Sequence, residues 1–236
     1  TKDILDPGAR LPEPAALPID FASSLQLLVA GTVTGTPLLT AGPLTIGGTA
    51  AFALERRTVD VDSDGNGTAD LLGATLDAVA LKVSGASVVL SGFGTLTVSG
   101  ELAVASVSAS GAASAAYSAL KMGEVQVALT AGTPAIGLSG ALTIARLDAN
   151  NVTAAGAARL NWARAFDLDG DGTKDILDPG ARLPEPAALP IDFASSLQLL
   201  VSGTVTGTPL LTAGPLTIGG TAAFALERRT VDVDSD

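Results

Sequence analysis

The chain has 236 residues, with 13 Lys and Arg against 24 Asp and Glu, for a net charge of −11; so acidic a chain cannot neutralise a phosphate backbone, which excludes nucleic acid as a partner. It contains no Cys and no His, so it has no disulfide, no thiolate, and neither the commonest general base nor the commonest transition-metal ligand. Hydrophobic residues make up 47% but aromatics only 3%, which puts the core in Val, Leu, Ile and Ala, a β-rich composition of small side chains.

The first segment, Asp6 to Pro18, carries Pro7, Pro12, Pro14 and Pro18. So many prolines exclude a central strand and predict an extended, polyproline-like connector. From Ile19 to Val33 the apolar residues Ile19, Phe21, Leu25, Leu27, Val29 and Val33 take odd numbers, and Asp20, Ser24, Gln26 and Thr32 even ones. This period of two predicts a strand with its odd face buried. The next strand places Leu44, Ile46, Ala50, Phe52 and Leu54 on even positions, then Val59 and Val61 on odd ones. The change of phase predicts a bulge at Arg56–Arg57.

Further strands are predicted at Val79-Leu81-Val83, at Leu96-Val98 with Leu102-Val104, at Val125-Val127-Leu129, and at Ile136-Leu138 with Leu142-Ile144. Turn signals at 91–94 and 132–134 separate them. Three apolar triplets (Leu25-Leu27-Val29, Val79-Leu81-Val83, Val125-Val127-Leu129) each precede a related segment: Leu44-Thr45-Ile46, Leu96-Thr97-Val98 and Leu142-Thr143-Ile144. This finer repeat predicts three degenerate β-hairpins. Two Ala-rich stretches, 112–122 and 154–165, stay open between helix and closely packed strand. Trp162 reads as core or edge packing, with ligand stacking as the alternative.

Residues 1–64 return as residues 173–236, an offset of 172 (173 − 1), with one change, Ala30 to Ser202. Such a period marks a tandem array. Position 30 lies on the even face of its strand, where Ser for Ala costs little if that face is wet.

Asp62-Ser63-Asp64-Gly65-Asn66-Gly67-Thr68-Ala69-Asp70 matches Asp167-Leu168-Asp169-Gly170-Asp171-Gly172-Thr173-Lys174-Asp175. In both, oxygen-bearing side chains occupy positions one, three, five and nine, and position seven can offer its backbone carbonyl. Carboxylates crowded so closely repel one another unless a cation joins them. Ca²⁺ accepts six to eight oxygen ligands in a flexible shell, whereas Mg²⁺ keeps its waters. The metal ligands predicted here are therefore Asp62, Asp64, Asn66, Thr68 and Asp70 in the first loop, and Asp167, Asp169, Asp171, Thr173 and Asp175 in the second. By the same alignment Asp3 is position nine of one truncated loop, and Asp234 and Asp236 open another, so the expectation is a stretch cut from a continuous array.

The pattern resembles the nine-residue calcium loops of FG-GAP (integrin-type) repeats. It lacks the position-twelve Glu of an EF-hand. Together with the near-identical copies, it is similar to the giant, repetitive calcium-binding surface proteins of bacteria, such as adhesin stalks and extracellular fibres. That resemblance implies an extracellular or cell-surface bacterial protein that serves for reach and rigidity, with no catalytic role and with neighbouring repeats as its main partners. A calcium-dependent surface- or glycan-binding module is the alternative, with Thr32, Thr34, Thr45 and Thr49 as outward candidates; a noncatalytic spacer is another. No apolar run is long enough to span a membrane.

The expected fold is all-β: tandem units of mainly antiparallel strands, in a sandwich or elongated sheet, joined by Pro-rich connectors, with a β-solenoid as the alternative. The expected division is 1–5 as the tail of a preceding loop, 6–18 as connector, 19–177 as one repeat body, 178–190 as connector again, and 191–236 as the start of the next repeat.

Overall fold

In the computed structural model, ten strands form one antiparallel sheet: β1 (Leu25–Ala41), β2 (Leu44–Val61), β3 (Leu71–Leu90), β4 (Gly94–Ser108), β5 (Ala116–Met122), β6 (Val125–Ala131), β7 (Gly137–Leu138), β8 (Gly140–Val152), β9 (Leu197–Ala213) and β10 (Leu216–Arg229). The structure describes residues 5–10, 16, 19, 21–41, 44–90, 94–109, 116–131, 137–138, 140–154, 156–213 and 216–231. The expected all-β, antiparallel class is the one observed, in its elongated-sheet form. No helix among the described residues is long and apolar enough to cross a membrane.

The three expected hairpins are the building blocks of the sheet. β1 pairs with β2, and β3 with β4. In the third hairpin β5 and β6 run end to end as one column, and both pair with β8. β9 then pairs with β8, and β10 with β9. Because β9 and β10 repeat the sequences of β1 and β2, the hairpin that begins the sheet also ends it. Of the two Ala-rich stretches, residues 116–122 are strand β5 and the described part of 154–165 is irregular. The turn segments 91–93 and 132–136 lie outside the described residues.

The core lies on one face only. A long irregular segment, residues 153–196, crosses that face between β8 and β9. It contributes Leu160, Trp162, Phe166, Leu177, Leu189, Ile191 and Phe193, all at most 4% exposed. The sheet answers with small residues: Ala74 and Ala78 on β3, Ala103 and Ala105 on β4, and Ala119 on β5, flanked by Val59, Val61, Leu76 and Val107. Alanine lets the covering segment approach closely, and its aromatic and branched side chains then fill the space. The Pro-rich stretch 178–190 therefore does more than connect. Its 3-10 turn Pro179–Arg182 rests on β2, β3 and β4, and Leu183 packs on Ala53 and Ala80. Gly180 has no room for a side chain, since a Cβ would strike the Ala187 carbonyl.

Ion pairs fasten the segment across the sheet. Arg182 Nε lies 3.3 Å from Glu55 Oε2 on β2, Glu185 lies 3.6 Å from Lys82 on β3, and Asp192 lies 3.7 Å from Lys121 on β5. Glu55 also pairs with Arg57.

Two sequence expectations are corrected, and one point that the alternation left open is decided. On β3 the side of Val79 is the outer one: Val79 is 37% exposed while Ala78 and Ala80 are at most 2% exposed. Alternation separates two faces without saying which is covered, and here the bulk of the covering segment selects the Ala side. The odd face of the first strand is also not buried: Leu27, Val29 and Val33 are exposed, because β1 is an edge strand with no layer over it. Finally, β2 carries no bulge at Arg56–Arg57. Its pairing with β3 is regular from Thr49 to Val59, and the irregularity is in β1, between Leu25 and Leu27.

Candidate metal loops

Each acidic loop starts where a core side chain ends. The first follows Val61, at the end of β2, and leads into β3. The second follows Phe166 within the covering segment. Both anchors are fully buried. Each loop is closed by the same bond: the position-nine N–H donates to the anchor carbonyl, Asp70 to Val61 at 2.9 Å and Asp175 to Phe166 at 2.8 Å. The loops are neighbours, since Asp62 N–H donates to the Ala165 carbonyl at 3.0 Å.

The first Asp organises each turn. Asp62 Oδ1 accepts from the Gly65 N–H and Oδ2 from the Gly67 N–H, both at 2.7 Å. Asp167 does the same with Gly170 at 2.7 Å and Gly172 at 2.9 Å. The glycines at positions four and six have φ of 77° and 94° in the first loop and 80° and 87° in the second. Those left-handed conformations are why Gly is needed there. The shared sequence pattern thus yields the same backbone twice.

The loops differ at the ligand positions. In the second, carboxylate oxygens of Asp167, Asp169 and Asp175 all lie within 4.8 Å of one another. Two oxygens bound to one Ca²⁺ at about 2.4 Å are at most about 4.8 Å apart, so this spacing fits a common calcium ion. Asp171 is turned to Thr173, whose N–H and Oγ1 donate to Asp171 Oδ1 at 2.7 and 2.5 Å. The first loop shows no such gathering among the described residues. There both oxygens of Asp70 are occupied, Oδ1 by the Ser63 N–H at 2.7 Å and Oδ2 by the Ser63 Oγ at 2.5 Å. Asp64 is engaged by Asn66, through its N–H at 3.1 Å and its Nδ2 at 2.9 Å, and the Thr68 N–H donates to Asn66 Oδ1 at 2.8 Å. The second loop has Leu168 where the first has Ser63, so Asp175 Oδ2 accepts the Leu168 N–H, at 2.7 Å, and no described residue donates to Oδ1. Asp3, Asp234 and Asp236 lie outside the described residues.

Position two, which the ligand pattern leaves unspecified, also bears on the electrostatics of Asp70. Slight burial pushes the Asp70 carboxyl up, but hydrogen bonds from the Ser63 side chain and from the Ser63, Asp70 and Leu71 backbone outweigh it and hold it below the usual Asp range. Asp171 is also held low, first by the Thr173 hydroxyl and then by its N–H. A depressed carboxylate adds stability above its unfolded pKa, near 3.9, and loses that contribution as pH falls through the folded value. The acid limb of stability should therefore fall below about pH 4. Ser63→Ala should bring Asp70 back toward the ordinary value in a carboxyl NMR titration; an unchanged midpoint would contradict the assigned bonds.

A groove of about 830 Å³ runs beside the second loop, lined by Ser24, Arg57, Asp60, Asp167, Asp169 and Lys174 among others. Trp162 does not line this groove. It is fully buried, its Nε1–H donating to Asn150 Oδ1 at 3.0 Å, and its ring sits 5.7 Å from that of Phe166. Of the outward threonines, Thr34 and Thr49 hydrogen-bond each other at 3.1 Å, as do their counterparts Thr206 and Thr221 at 3.0 Å, and Thr32 is exposed. The side chain of Thr45 lies outside the described residues.

No protein-family model, curated protein or solved structure matches this chain.

Proposed function

We propose that the chain is a structural repeat of a long extracellular filament or adhesin stalk, stiffened by calcium and built for reach rather than catalysis. The observation that carries this reading is the second loop. Its three carboxylates converge at calcium-compatible spacing, on a segment that also pins the cover of the sheet. Asp167, Asp169 and Asp175 would hold the ion, with the Thr173 carbonyl and water completing the shell. The bound ion supplies charge neutralisation to a chain of net charge −11. The protein's own residues do the rest: Asp167 shapes the turn and Phe166 ties it to the core.

Extracellular calcium is millimolar, so sites with Kd of about 10⁻⁴–10⁻³ M fill outside the cell and empty inside it. Such a repeat is loose during export and firm afterwards. Neighbouring repeats are its principal partners. Antibodies against the chain should label intact, unpermeabilised cells, and chelation should shorten or collapse the labelled structure. Labelling only after permeabilisation would overturn the reading.

A further inference from the structure

The two copies of the duplicated segment have different neighbours in this chain, and each copy shows what the other lacks. Among the described residues, β9 has β8 along one side and β10 along the other, whereas β1, its counterpart, has only β2. Likewise β2 lies between β1 and β3, whereas β10, its counterpart, has only β9. Burial follows suit. Leu177, Ile191 and Phe193 are at most 4% exposed, but the same residues in the first copy, Leu5, Ile19 and Phe21, are 63%, 46% and 69% exposed.

The described residues of this exposed copy keep the same bridge. The Ile19 N–H donates to the Leu5 carbonyl at 2.7 Å, as Ile191 does to Leu177 at 2.8 Å. On the other edge, Glu55 is 6% exposed and paired with Arg182, whereas its counterpart Glu227 is exposed and, among the described residues, pairs only with Arg229 of its own strand.

The glycines repeat the pattern. A side chain at Gly203 would strike the Thr143 carbonyl of β8, but at Gly31 it would meet only Phe52 of its own hairpin, at 3.5 Å. A Cβ at Gly48 would lie 2.9 Å from Ala86 Cα of β3, but at Gly220 it would meet nothing within 4 Å. Gly31 and Gly220 therefore keep clear a space that no described residue fills.

We infer that successive repeats share one uninterrupted sheet. The open edge of β1 is the seat of a preceding repeat's β8, and the open edge of β10 is the seat of a following repeat's β3. The exposed side chains of Leu5, Ile19 and Phe21 cover the strands of that preceding repeat. This rests on the tandem-array reading but not on calcium or on cell-surface location. The β8–β9 pairing is the junction itself, seen once within this chain. The sheet repeats after six columns, since β9 stands six columns beyond β1. At about 4.8 Å per strand, each repeat lengthens the sheet by about 29 Å.

The test appends a further copy of residues 65–236 after Asp236 of the full chain. In the 236-residue chain the outward amides of Leu216–Arg229 should exchange as an open edge does. In the extended chain the same amides should exchange at least tenfold more slowly, and X-ray scattering should show the particle lengthened by about 29 Å. Gly220→Ala should lower Tm more in the extended chain than in the original. Unchanged exchange at Leu216–Arg229, whether because the added block folds separately or fails to fold, would overturn the inference. Surface labelling and calcium response would be unaffected by that failure.

Discussion

Trp162→Ala should be among the most destabilising single substitutions in the chain. The indole is fully buried where the covering segment meets β8. Its removal opens a large cavity and deprives Asn150 Oδ1 of its donor, while Asn150 Nδ2 remains bound to the Leu160 carbonyl at 3.0 Å. Aromatic-to-Ala changes in cores cost about 3–5 kcal/mol. For a chain of this length that lowers Tm by about 6–20 °C. Trp162→Phe restores most of the volume but not the N–H, so it isolates the orphaned acceptor, which costs about 1–3 kcal/mol. Circular dichroism is the suitable probe, because this is the only Trp in the chain. Wild-type stability in Trp162→Ala would mean that residues 153–196 do not seal the sheet.

If the two acidic loops bind calcium as proposed, the second should bind more tightly than the first. Its Asp167, Asp169 and Asp175 already converge at calcium-compatible spacing, whereas the first loop shows no such gathering among the described residues. The first must also release Asp70 from two bonds to Ser63. Asp169→Asn should weaken the tighter site about tenfold, or about 1.4 kcal/mol, in a calorimetric titration. Asp64→Asn should leave that site unchanged. If Asp64→Asn removed the tighter site instead, the ranking of the loops would be wrong.

The sequence made some of this plain and concealed the rest for identifiable reasons. The three hairpins were legible because each apolar triplet is followed by its related L-T-I or L-T-V segment. The two acidic loops were legible as a matched pair because their Asp and Gly recur at the same spacing, and the backbone hydrogen bonds recur with them. The covered face was not, because Val79 and Leu81 look more like core than Ala78 and Ala80 do. What reverses the choice is a segment nearly a hundred residues downstream, whose Trp162, Phe166 and Ile191 need a flat alanine floor. That role of the Pro-rich stretch was equally hidden, since prolines exclude a central strand without revealing what the chain lies against. The contrast between the loops turns on Ser63 and Leu168, at a position that chelation leaves free. Identical sequence also concealed unequal burial in the two copies, because burial depends on neighbours that only one of them has.

Calcium-dependent stability is the central claim, and thermal unfolding of the full chain in millimolar calcium and in EDTA tests it most directly. With calcium at about ten times Kd, binding to the folded state contributes about 1.4 kcal/mol per site. One filled loop should therefore raise Tm by about 3–6 °C, with a further rise if the second also fills. Asp169→Asn should remove most of the increase. Superimposable melting profiles in calcium and EDTA would contradict the account.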